Sequence, residues 1–260
     1  MIAYRSAREI ERLRQANQLV RRVLGALAAE VRPGVTTGDL DALAERMIRA
    51  AGAVPAFKGY RGFPATLCAS INEEVVHGIP SRSRALVAGD IISLDVGAKL
   101  DGYFGDSAVT VAVGEVPPPT AGLLDVTREA LDRGIAQARV GGRLSDISHA
   151  IQAWVEAHGF SVIREFVGHG IGERLHEDPQ IPNYGAPGRG PKLEAGMVLA
   201  IEPMVAMGGA QTRVLADGWT AVTRDGSLAA HFEHTIAVTA DGPLVLTAPN
   251  GQPAGAEARP

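Results

Sequence analysis

The sequence predicts an α+β fold of two related halves, whose strands merge into one curved antiparallel sheet with helices behind it. Three observations carry that expectation. Residues recur 107 positions apart: Arg32 and Gly34 return as Arg139 and Gly141, Asp39 and Leu40 as Asp146 and Ile147, Ile48 and Gly52 as Val155 and Gly159. Each recurrence sits in the same order of signals: a helix, an Arg-x-Gly break, a second helix, a glycine stop, an extended run. The extended runs are apolar yet carry carboxylates, as in IISLDVG and VLAIEPM. The halves are expected at about 1–115 and 116–250 of a single domain, with a Pro/Ala/Gly-rich flexible tail at 251–260.

The first helix starts at Ser6, where Ser6 and Glu9 have capping-box spacing. Ile10, Leu13, Leu24 and Leu27 give it one apolar face. A second helix starts near Thr37 and stops at Gly52. The runs IISLDVG and YFGDSAVTV then flank Asp101-Gly102, a two-residue hairpin signal. After the prolines at 117–119 a third helix starts near Thr120, with Leu123, Leu131 and Ile135 inward. A fourth starts at Ser145 and carries His149 and His158, read as surface or capping residues.

Asp95, Asp106, His169, Glu202 and Glu233 each lie in a short strand-like or Gly-rich segment. Burying an unpaired carboxylate is costly, and the chain has only three lysines, Lys58, Lys99 and Lys192, to offset it. Bound divalent cations are the simplest counter-charge. Strand alternation puts Asp95 and Asp106 on one face of the hairpin when paired residue numbers sum to 201 or 203; an even sum separates them. The same alternation puts His231 on the face of Glu233, within reach of the site, and His234 on the opposite face as a structural hydrogen-bonder. Four carboxylates and one imidazole suit Mn²⁺, Fe²⁺, Co²⁺ or Zn²⁺, and a pair of such ions can ionise a water and clamp a carbonyl. The stretch from Gly168 to Gly172 lacks the Lys-Ser/Thr ending of a phosphate loop.

The segments NEEVVHGIP, LDVGAKLDGYFGDSAVT, GHGIGERLHEDPQIPNYG, GMVLAIEPM and HFEHT resemble, in order and spacing, the motifs of the methionine aminopeptidases, over about residues 3 to 247. The resemblance implies a pita-bread fold and removal of the initiator methionine, with small second residues preferred. It implies two divalent metal ions held by Asp95, Asp106, His169, Glu202 and Glu233. It assigns His77 to the scissile amide nitrogen, His176 to the carbonyl oxygen, and proton transfer to Glu202. Tyr60, Phe63, Cys68, Leu175 and Trp219 fall at methionine-pocket positions. Phe63 and Leu175 depart from the commoner tyrosine and phenylalanine but stay apolar. Only 26 positions separate His176 from Glu202, which leaves no room for the helical insertion of the type II branch and points to type I. Proline-specific peptidases of the same fold carry a long N-terminal domain, and Asp95 comes too early for one. A metal-free binding protein of this fold would not need all five ligands.

Composition restricts the remaining classes. Net charge is −4 and pI about 6.0, so no basic footprint for nucleic acid appears. The single cysteine, Cys68, rules out a disulfide within the chain. The first residues are too charged for a secretory signal, and no run of 18 apolar residues exists. The expectation is a cytoplasmic monomer acting on peptide and nascent-chain N-termini, with the ribosome as a further candidate partner and no membrane.

Overall fold

Four helices cover one face of a curled sheet in the computed structural model, in which residues 1–249 are described. The tail expected at 251–260 lies outside them. Helix α1 (Ala7–Glu30) is capped by Ser6 and Glu9 in reciprocal hydrogen bonds, as its sequence predicts. Helix α2 (Thr37–Ala50) starts at the capping pair Thr36–Asp39. Helix α3 (Pro118–Ala136) begins two residues before the expected Thr120. Prolines lack only N–H groups that a first helical turn leaves unpaired, so the proline run enters the helix. Helix α4 (Leu144–Ala157) begins after Arg143, whose amide donates to Asp146.

The sheet contains β1 (Val54–Pro55), β2 (Leu67–Ile71), β3 (Ile91–Leu100), β4 (Tyr103–Ala112), β5 (Gly168–Gly170), β6 (Glu177–Ile181), β7 (Val198–Ile201), β8 (Glu233–Thr239) and β9 (Gly242–Val245). Its order is β1-β3-β4-β8-β7-β5-β6, with β2 also on β3 and β9 also on β8. Every pairing in it is antiparallel. Strands β3 and β4 join through Asp101 and Gly102, both with left-handed φ (49° and 91°), as a two-residue hairpin turn requires. Their register pairs Gly97 with Asp106 and Asp95 with Ala108, a sum of 203, one of the two values that put the aspartates on one face.

The 107-residue repeat is visible in backbone contacts. The amide of Gly34 donates to Leu86 O (2.8 Å), and that of Gly141 to Leu193 O (2.9 Å). An isolated bridge joins Thr36 to Ala85, and its counterpart joins Arg143 to Lys192. Each half has its own apolar core. One joins Val20, Leu27, Leu40 and Ile48 to Leu94 and Val96; the other joins Leu131, Ile135, Ile147 and Ile151 to Leu199 and Ile201. The halves meet where β4 pairs with β8, Ala108 opposite Glu233 and Ser107 opposite His234. Two smaller three-stranded sheets flank this seam, one of them containing Ala229–His231.

Candidate active site

All five expected ligands converge on the concave face at the seam. In the sheet's lateral rows Asp95 sits opposite Ala108, and Ala108 opposite Glu233; Gly97 sits opposite Asp106; Ala200 sits opposite both Thr235 and His169. Small residues therefore alternate with ligand-type side chains and leave them room. Ligand-type atoms of Asp106, His169 and Glu233 all lie within 4.8 Å of one another. His169 Nε2 is 3.9 Å from Asp106 Oδ2 and 3.5 Å from Glu202 Oε1.

Local structure explains how each is held. Gly168 and Gly170 flank His169 because β5 is squeezed between neighbours. A Cβ on Gly168 would lie 2.4 Å from Ala200 O, and one on Gly170 2.1 Å from Asp178 O. With His169 Nδ1 donating to Gly170 O (3.0 Å), Nε2 is left as the free lone pair facing the carboxylates. Asp106 is set from behind by Asn17, a buried residue of α1 whose Oδ1 accepts the Asp106 amide (3.2 Å). Sequence reasoning missed Asn17; its only signal is an amide side chain between the apolar Leu13 and Val20 on the inner face of α1. The expected alternation around Glu233 is broken. Phe232 leaves the ladder, its amide donating to Pro203 O, so Ala229–His231 joins a separate sheet. His231 nevertheless reaches the site, with Nε2 3.6 Å from Glu202 Oε2. His234 turns away and bonds Thr247, as expected.

The electrostatics are those of a concentrated negative charge. Burial raises the pKa of Asp95, Asp106, Glu202 and Glu233 well above the usual carboxylate range, and their mutual repulsion adds to it. Among the described residues, the only basic side chains within 4.0 Å of these four carboxylates are the imidazoles of His169 and His231. Asp95 Oδ1, Asp106 Oδ1 and Glu233 Oε1 are buried without a hydrogen-bond partner. Burial pushes His169 down to about 4 and His231 to about 3, so both are neutral at physiological pH. Such an arrangement is costly unless cations occupy it.

Beside the carboxylates lies a cavity of about 170 Å³. Every residue expected in the methionine pocket lines it: Tyr60, Phe63, Cys68, Leu175 and Trp219, together with His77 and His176. Phe57 and Arg61 line it too, which sequence reasoning did not foresee. Phe63 meets Trp219 edge to face (5.2 Å between centroids). The His176 ring is 4.3 Å from that of His169, and its Nδ1 is 2.9 Å from the Tyr60 hydroxyl. With Tyr60 donating to Nδ1, the proton resides on Nε2, the tautomer that can donate to an oxygen. His77 adopts a left-handed backbone (φ 62°) at the cavity wall, a conformation costing about 1–3 kcal/mol that recurs at functional sites. The His149 and His158 assignments also hold: His149 is on α4, and His158 follows it, bonding Trp154 O (2.8 Å).

The model of metallopeptidase family M24 matches residues 11–240. A methionine aminopeptidase of Clostridium acetobutylicum is 55% identical over 95% of this chain and 99% of its own length. The crystal structure of a methionine aminopeptidase from Thermotoga maritima matches with a TM-score of 0.94 at 49% identity, over 95% of this chain and 99% of that one. A prolidase from Pyrococcus horikoshii shares the fold, with a TM-score of 0.77 at 22% identity, but this chain covers only 63% of it. The curled antiparallel sheet with its helices is thus the pita-bread fold, and the chain belongs to metallopeptidase family M24, in its methionine aminopeptidase branch.

Proposed function

We propose that this chain removes the N-terminal methionine of peptides and new proteins by metal-assisted hydrolysis, with Asp95, Asp106, His169, Glu202 and Glu233 holding two divalent cations. The observation that carries the reading is the set of four carboxylates with raised pKa values, three of them with orphaned buried oxygens, closing on one neutral imidazole. Oxygen-rich donors with a single nitrogen fit Mn²⁺, Fe²⁺, Co²⁺ or Zn²⁺. Cations bound there would supply Lewis acidity and a hydroxide available near neutral pH.

The protein groups do the rest. Glu202 takes a proton from the attacking water and passes it to the leaving nitrogen. His176 donates from Nε2 to the carbonyl oxygen as negative charge builds on it. His77 hydrogen-bonds the scissile amide and positions it. The wall formed by Tyr60, Phe63, Cys68, Leu175 and Trp219 takes the methionine side chain. In this reading, the crowding of His77 and His176 beside the carboxylates favours small second residues. It takes the chain as a type I enzyme, a single catalytic domain with halves at about 1–115 and 116–250, working as a cytoplasmic monomer on nascent chains at the ribosome.

The test compares Met-Ala-Ser with Ala-Pro peptides, using protein stripped with a chelator and then reloaded. Only Met-Ala-Ser should be cut, only by reloaded protein, and not when its amine is blocked. Cleavage of Ala-Pro peptides, or full activity after chelation, would overturn the reading.

A further inference from the structure

We propose that Arg5, in the segment ahead of α1, is a positioning residue that holds His176 and Leu175 in place through Glu177. The inference rests on the oxyanion role of His176. Residues 174–177 form the strip of chain that brings Leu175 to the cavity wall and His176 beside His169. The ring of His176 is steadied at Nδ1 by Tyr60, but its backbone has to be held from elsewhere. Glu177 does this. Its Oε1 accepts the Arg174 amide (3.1 Å), closing the strip on itself.

Arg5 then fixes Glu177. Its Nη2 donates to both carboxylate oxygens, at 2.7 and 2.6 Å, and both side chains are less than a tenth exposed (8% and 5%). Arg5 is itself anchored, its amide donating to Gly196 O (2.7 Å). Its guanidinium lies flush on the chain at Gly172, where a Cβ would come within 2.2 Å of Nη2. Gly172 in turn accepts the Phe104 amide (2.8 Å) and donates to Arg174 O (3.1 Å). The guanidinium is thus the fixed point against which the whole strip from Gly172 to Glu177 is set. A buried ion pair contributes little net stability, because desolvation offsets its attraction, but it strongly disfavours every arrangement that breaks it. That property suits a part whose task is to hold a donor within a fraction of an ångström, since a misplacement of about 1 Å can lower turnover by about 100-fold.

The experiment is a double-mutant cycle on the metal-loaded enzyme, with kcat, KM, bound metal and melting temperature read for Arg5→Ala, His176→Ala and the double variant. Arg5→Ala should lower kcat by about 10- to 100-fold, with metal content unchanged and KM moved much less. In the His176→Ala background the same substitution should change kcat by less than about twofold, because its effect passes through a group already removed. If His176→Ala lowers kcat and Arg5→Ala lowers it by an equal further factor, the inference fails while the role of His176 stands. If His176→Ala keeps full kcat, the role of His176 fails first. Should Arg5→Ala not fold, Glu177→Gln takes its place in the cycle, keeping the side-chain shape while removing the charge. An unchanged kcat in that variant overturns the proposal.

Discussion

The two halves of the sheet use one scaffold for different ends. Asp95, in β3 of the first half, has its counterpart 107 residues later at Glu202, just past β7 in the second. Asp106 and Glu233 lie diagonally across the seam on β4 and β8, Asp106 two residues from Ala108, which pairs with Glu233, and their ligand-type atoms come within 4.8 Å. The carboxylate quartet is therefore nearly symmetric. The surroundings are not. In the first half a two-residue turn joins β3 to β4, and their register puts both aspartates on one face. In the second half the equivalent strands are separated by residues 202–232, which fold into small sheets and bring in Trp219. The imidazoles His169 and His176 also come only from the second half. Symmetry accounts for the site that gathers charge, and its breaking brings Trp219, Leu175 and His176 into the cavity beside it.

The sharpest way to break this comparison is to remove one member of the quartet. Asp106→Ala should lose bound metal almost completely and abolish turnover, because the remaining carboxylates cannot share the cations across the seam. Normal metal content by elemental analysis would show the quartet is not a unit. Next comes the asymmetric donor. His176→Ala should lower kcat by about 10²–10³-fold while metal content and melting temperature hold. A loss of metal would place His176 among the ligands instead. Third is the roof. Trp219→Ala should raise KM for Met-Ala-Ser by about tenfold and narrow the preference for methionine over leucine, on the 1–3 kcal/mol scale of a lost apolar contact. An unchanged ratio of kcat/KM between the two peptides would remove Trp219 from the pocket.

Two smaller effects sharpen the electrostatic side and the scaffold side. In chelated protein the four carboxylates have raised pKa values, so the folded state holds protons that the unfolded chain releases above about pH 4. Their contribution to stability therefore falls as pH rises. His169 and His231, pushed down to about 4 and about 3, act oppositely, but only below the ordinary imidazole range; above about pH 7 they are neutral folded or unfolded. Cation binding requires ionised carboxylates and gains strength as pH rises. The melting-temperature gap between reloaded and chelated protein should widen from about pH 6 to about pH 8, and a constant gap in calorimetry would contradict it. The smallest effect belongs to the hairpin. Gly102 has φ 91°, so Gly102→Ala should cost about 1–2 kcal/mol, a few degrees of melting temperature, and leave metal content untouched.

Much of this was legible in the sequence wherever the determinants were local. Ser6 with Glu9, and Asp101 with Gly102, act over a few residues, and alternation along β3 and β4 limited the aspartate register to a few testable values. The pocket side chains were legible through resemblance to a family, not through chemistry visible in the chain. What stayed hidden was set by contacts between distant segments. Asn17 supports Asp106 across 89 residues, and Arg5 reaches Glu177 across 172. Alternation failed at Phe232 because the chain changes sheets there, its amide bonding to Pro203 instead of a strand partner.

The seam has a consequence for the order in which the molecule comes into being. Strands β3 and β4 are neighbours in sequence, and their pairing closes a minimal loop. The bond from Ser107 Oγ to Glu233 O spans 126 residues. Chain entropy opposes that closure far longer, so the hairpin is expected to form early and the seam late. On a chain emerging from synthesis, both aspartates are in place well before Glu202 and Glu233 exist. The five side chains proposed to hold the cations therefore come together only when the last sheet strands dock.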